Sequence, residues 1–153
     1  MNRFLTTVSL LSMLGSGQVM AQTCTGNTIQ FLTQAQISNL LNNRYACVGA
    51  SPNAQWNELH QGGLVLDYKK GPSDPTDPSD TPSHPTGSYT VTGPTGGAQQ
   101  AGTVTYNYGA GGTFGYNVTA PAGSGPPFHP GLYSFCTTTA GQNLAVTISP
   151  SHC

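Results

Sequence analysis

Trp56, Asn57, Glu58, Leu59 and His60 run up to Gly62-Gly63, and Leu64, Val65, Leu66, Asp67, Tyr68 and Lys69 follow it closely. Two glycines between runs of this kind signal a two-residue hairpin turn, because both central positions need a positive φ. Pairing across that turn sets His60 opposite Val65, Glu58 opposite Asp67 and Trp56 opposite Lys69. One face then carries Leu59, Leu64, Leu66 and Tyr68, and reads as core. The other carries Trp56, Glu58, His60, Asp67 and Lys69. Facing carboxylates repel unless a proton, a cation or Lys69 relieves them. That second face is therefore the candidate ligand or metal cluster, with acid–base chemistry at Glu58, His60 and Asp67. Its simplest state is a solvated hairpin face on which Lys69 satisfies Asp67 and nothing is catalysed. A slip of one residue would exchange the faces and bury Glu58 and His60 beside Trp56, the setting in which titrating groups become functional.

Other chemistry is sparse. Asp74, Asp77 and Asp80 recur every third residue among prolines. In a polyproline II spiral they stack on one side roughly 9 Å apart, too far for one calcium ion, whose oxygens lie at about 2.3–2.6 Å. A spacer or binding loop is the expectation there. His84, His129 and His152 are scattered without zinc spacing. The chain holds no nucleophile elbow, phosphate loop or dinucleotide fingerprint, so no catalytic residue is assigned and no cofactor is expected. The aromatic residues Tyr89, Tyr106, Tyr108, Phe114, Tyr116, Tyr133 and Phe135 either fill a core or line the mouth of an open barrel. In the second case Tyr106, Tyr108, Tyr116 and Tyr133 would form an amphipathic pocket for a small sugar or apolar ligand.

The elements that would position these residues are mostly strands. Tyr89/Val91, Val104/Tyr106/Tyr108, Phe114/Tyr116/Val118 and Leu144/Val146/Ile148 occupy alternate positions, largely with polar residues or glycine between them. Period-2 patterning means one buried and one wet face. Strands are expected at 44–48, 55–60, 64–70, 88–92, 103–108, 113–119, 133–137 and 144–149. Most are joined by short turns, and no crossover helix intervenes. Thr33 with Gln36 fits a capping box, and Ile37, Leu40 and Leu41 fall on one face of a short helix ended by Asn42-Asn43. The fold class is all-β: a small antiparallel meander barrel or sandwich of about eight strands, with one short N-terminal helix as lid or plug. Pro-rich loops at 71–87 and 121–130 cannot pair as central strands.

Composition bounds the setting. Residues 1–21 have a charged start, an apolar run and a small-residue cleavage pattern, Val19-Met20-Ala21, the layout of a secretory signal peptide. Residues 22–153 suffice for one domain. The even set Cys24, Cys47, Cys136 and Cys153 implies two disulfides in an oxidising compartment, periplasmic or extracellular. Three pairings are possible. The local one, Cys24–Cys47 with Cys136–Cys153, is preferred over Cys47–Cys136 with Cys24–Cys153. Charged residues make up 6% of the chain, and three cations after residue 21 cannot neutralise enough phosphates for nucleic-acid binding. No apolar run reaches the roughly 20 residues of a membrane helix, so the chain is not expected to be an integral membrane protein.

The segments Asn43-Arg44-Tyr45-Ala46-Cys47, Trp56-Asn57-Glu58-Leu59-His60, residues 67–75, Tyr133-Ser134-Phe135-Cys136 and His152-Cys153 resemble a set of short exported proteobacterial proteins of unassigned activity. The resemblance implies bacterial export and transfers no catalytic residue. The leading expectation is a non-catalytic module binding a small molecule or a cell-surface component. A self-associating adhesive protein and a metal-dependent enzyme using Glu58, His60 and Asp67 are the alternatives.

Overall fold

The computed structural model describes residues 24–25, 30–49, 56–67, 84–94, 100–120, 131–139 and 142–153. Residues 1–21 (expected to be a signal peptide), Tyr68, Lys69, the three loop aspartates, His129 and the 121–130 loop lie outside the described residues.

Eight strands form one closed antiparallel barrel. In chain order they are β1 (Arg44–Val48), β2 (Trp56–Gln61), β3 (Leu64–Asp67), β4 (Gly87–Thr92), β5 (Thr103–Asn107), β6 (Thr113–Thr119), β7 (Gly131–Thr137) and β8 (Leu144–Ser149). Each pairs with the next, and β1 returns to β8 through Ala46 opposite Ile148 and Val48 opposite Val146. Closure removes the open sheet edges that a chain so poor in charge could not otherwise protect. The hairpin turn forms as expected, with Gly62 at φ +59° and Gly63 at φ +84°, and its register sets Glu58 against Asp67 and His60 against Val65.

Helix α1 (Gln34–Leu41) opens on the capping box: the Thr33 amide donates to Gln36 Oε1 at 2.8 Å, and the Gln36 amide donates to Thr33 Oγ1 at 3.4 Å. Ile37, Leu40 and Leu41 are buried in the same apolar cluster as Val65, Val104, Val118, Tyr133 and Ile148. Asn43 takes the left-handed conformation that asparagine tolerates, and its amide donates to the His60 carbonyl, hooking the end of α1 onto β2. The Gln34 side chain donates to the Val91 carbonyl. The strand ends near α1 are thus plugged, and the opposite ends form the mouth.

Both bridges lie on the outer face. Cys24 joins Cys136 of β7, and Cys47 of β1 joins Cys153. This is the third pairing, and it corrects the preference for sequence-local bridges. Barrel closure is the reason: with β1 beside β8, Cys47 is a neighbour of the segment that follows β8, and residues far apart in sequence meet. Such bonds belong to an oxidising environment. No helix among the described residues is long and apolar enough to cross a membrane.

Candidate functional site

The hairpin register is the one expected, but its faces are reversed. Glu58 is paired with Ala46 of β1, an inward core position, and so Trp56, Glu58, His60 and Asp67 turn into the barrel. Leu59, Leu64 and Leu66 turn outward, although Leu66 is only 1% exposed. The expectation of a leucine core and a solvated polar face is overturned. It fails because the barrel interior is only partly packed core; its mouth half is an open space in which Glu58 and Asp67 stand among aromatic and aliphatic side chains.

His60 lies at the boundary between the two halves and has no exposed surface. Its Nδ1 lies 3.2 Å from the Glu58 carbonyl oxygen, which can only accept, so Nδ1 carries the proton. Nε2 then accepts the Tyr106 hydroxyl at 2.9 Å. Burial lowers the His60 pKa from 6.5 to about 4, against the opposing pull of backbone hydrogen bonds to Glu58 and Arg44. The ring is therefore neutral at physiological pH, and both its nitrogens are occupied.

One inward position further toward the mouth, the Tyr108 hydroxyl donates to the Glu58 carboxylate, at 2.9 Å to Oε2 and 3.2 Å to Oε1. Burial first, and then the Glu58 charge, raise the Tyr106 and Tyr108 hydroxyls well above the ordinary tyrosine range. Burial and the same carboxylate raise Tyr116. All three remain protonated and can donate. Their rings form a continuous wall: Tyr106 and Tyr108 lie nearly parallel at 6.1 Å, Tyr108 meets Phe114 at 6.1 Å, and Tyr116 meets Phe135 at 5.9 Å. These separations are within the favourable range for aromatic pairs.

The walls enclose a cavity of about 590 Å³, open at the end away from α1. Its lining includes Trp56, Glu58, Asp67, Tyr106, Tyr108 and Tyr116, the apolar Phe114, Phe135, Leu144 and Val146, and the polar Thr86 and Gln142. Trp56 stands 39% exposed. Of the expected pocket tyrosines, Tyr133 lies instead in the packed core, where burial raises its pKa and the Arg44 charge lowers it. Sequence reasoning did not single out Ala46, Val48, Leu144 and Val146 as lining. Their inward alternation was the available signal, but it reads as core until closure shows that the mouth half is not filled.

Among the described residues, no three His, Cys, Asp or Glu side chains form a group able to hold a metal ion. His60 is tied to Tyr106 and Glu58, below the opposed pair Glu58 and Asp67. No family model, curated protein or solved structure matches the chain.

Proposed function

We propose that this is an exported, non-catalytic barrel that binds a small molecule in its mouth. The observation that carries this reading is the cavity of about 590 Å³ inside a closed eight-stranded barrel. Barrels of this strand number are wide enough either to be filled by side chains or to hold one small ligand, and the volume falls in the range of small-molecule sites. Here the half toward α1 is filled and the half toward the mouth is not. The leader-like residues 1–21 and the two disulfides support export, and the resemblance to short exported proteins supports a bacterial setting. Adhesion by strand addition finds less support, since β1 and β8 pair and leave no open edge.

Trp56 is the only tryptophan and lines the cavity, so its emission reports on loading. Titration with the uncharged probe N-phenyl-1-naphthylamine is expected to give saturable enhancement of probe fluorescence and a change in Trp56 emission. Ala46→Phe, which projects a ring into the cavity, should weaken both about tenfold, a loss of roughly 1.4 kcal/mol. Unsaturable enhancement, or binding indifferent to Ala46→Phe, would remove the proposal.

A further inference from the structure

We propose that the cavity takes an aryl carbonyl compound, a flat aromatic body with a carbonyl oxygen on its edge, and that the Tyr116 hydroxyl is the donor that selects it. The inference rests on the binding function proposed above and names the chemical class of its ligand.

Tyr116 lines the cavity and is only 8% exposed. Among the described residues its hydroxyl has no hydrogen-bond partner. The other two tyrosine hydroxyls of the lining are committed, that of Tyr106 to His60 and that of Tyr108 to Glu58, each at 2.9 Å. Burial raises the pKa of both, with smaller contributions that include Glu58 and Tyr116. The Tyr116 hydroxyl therefore stands near this pair without bonding to it.

Its ring is held in place, edge to face with Tyr106 at 6.2 Å and tilted against Phe135 at 5.9 Å. Buried polar groups are as a rule paired, with protein, water or ligand. A fixed polar group on the wall of a largely apolar cavity is the kind that orients a bound molecule. Conjugation with the ring makes a phenol a good donor and a poor acceptor, and burial keeps Tyr116 protonated. A carbonyl oxygen meets that donor, whereas a hydrocarbon leaves it unmet.

The rest of the cavity describes the body of the ligand. β1 lies four strands from β5 in the closed ring, so Ala46 and Val48 face the side of Tyr106 across the lumen. Tyr108 and Phe114 extend the ring surface on that side, and Val146 extends the aliphatic surface on the other. Rings on one wall and short aliphatic side chains on the other suit a planar aromatic body, which stacks on tyrosine in offset geometry.

The test compares 2-acetylnaphthalene with its isostere 2-isopropylnaphthalene, each displacing N-phenyl-1-naphthylamine from the intact oxidised protein. Tyr116→Phe removes the donor and keeps the ring. In that variant the ratio of the ketone's affinity to the hydrocarbon's should fall about fivefold. The infrared carbonyl stretch of bound 2-acetylnaphthalene should lie lower in the parent than in the variant, a signature that packing alone would not move. The urea midpoint should be the same in both proteins, because no hydrogen bond within the protein is lost. An unchanged affinity ratio, equal carbonyl frequencies, or a loss of stability as large as that of Tyr106→Phe would overturn the inference. Binding of N-phenyl-1-naphthylamine that neither naphthalene displaces would overturn it and leave the cavity reading intact. Failure of all three probes to bind would overturn both.

Discussion

His60 keeps both ring nitrogens bonded, Nδ1 to the Glu58 carbonyl and Nε2 to the Tyr106 hydroxyl, with none of its surface reaching solvent. A proton on Nε2 would turn the Tyr106 hydroxyl from donor to acceptor and bury a charge. The folded state therefore binds that proton only near pH 4, whereas the unfolded chain binds it near pH 6.5. Where the unfolded state holds more protons, stability rises with pH. The contribution of His60 is thus fully present above pH 6.5 and is lost as pH falls toward 4, a change of about 3 kcal/mol. We expect urea unfolding to weaken across that window and His60→Phe to flatten the slope; equal slopes in the two proteins would contradict the assignment. Tyr106→Phe tests the other partner. It leaves a buried Nε2 without its donor and should cost about 1–3 kcal/mol near neutral pH, measured in the same unfolding experiment.

At the scale of elements, the packing of α1 and of Tyr108 depends on two close approaches. A Cβ on Gly102 would lie 2.5 Å from the Gln34 amide nitrogen and 2.8 Å from the Thr33 carbonyl carbon. Both are backbone atoms at the helix cap, so no side-chain rotation relieves the clash. Gly102→Ala should lift α1 from the barrel and speed hydrogen exchange at its amides, at a cost of about 1–3 kcal/mol; unchanged exchange would refute the contact. Gly87 plays the matching part at the mouth, where a Cβ would meet the Asn107 carbonyl oxygen at 2.7 Å and Tyr108 Cδ1 at 2.9 Å. Gly87→Ala should displace Tyr108 from Glu58 and weaken probe binding about as much as Ala46→Phe does. Helix and strands were largely legible because their signals are local: Thr33 with Gln36 for the cap, and alternation in β4, β5, β6 and β8. The inward side of the β2–β3 hairpin was not. Its outward leucines and its inward Val65 and His60 leave both faces part apolar, with Leu66 and Val65 each buried on opposite sides. Hydrophobicity then favours the leucine face, and the true direction follows only from which neighbours β2 finds in β1.

The whole molecule is a ring of pairings, and a ring opens wherever one seam fails. The β1–β8 seam joins the strands farthest apart in sequence, so it carries the largest loss of chain freedom on forming. The Cys47–Cys153 bridge, spanning 106 residues, ties β1 to the segment after β8. Cys24–Cys136, spanning 112, instead fastens the chain ahead of α1 to the outer face of β7. This pairing was out of reach of the sequence because spacing along the chain carries no information about closure. By chain entropy each bridge is worth about 4–5 kcal/mol, a similar figure for both, yet their structural consequences differ. Loss of Cys47–Cys153 weakens the seam next to Val48, Leu144 and Val146, which line the cavity. Loss of Cys24–Cys136 leaves every strand pairing in place. The paired variants Cys47→Ser/Cys153→Ser and Cys24→Ser/Cys136→Ser should therefore both melt earlier than the parent. At a temperature where all three remain folded, only the first should release N-phenyl-1-naphthylamine more readily. Equal probe affinity in the two variants would mean that the bridges serve stability alone and that the seam holds the shape of the cavity without sulfur.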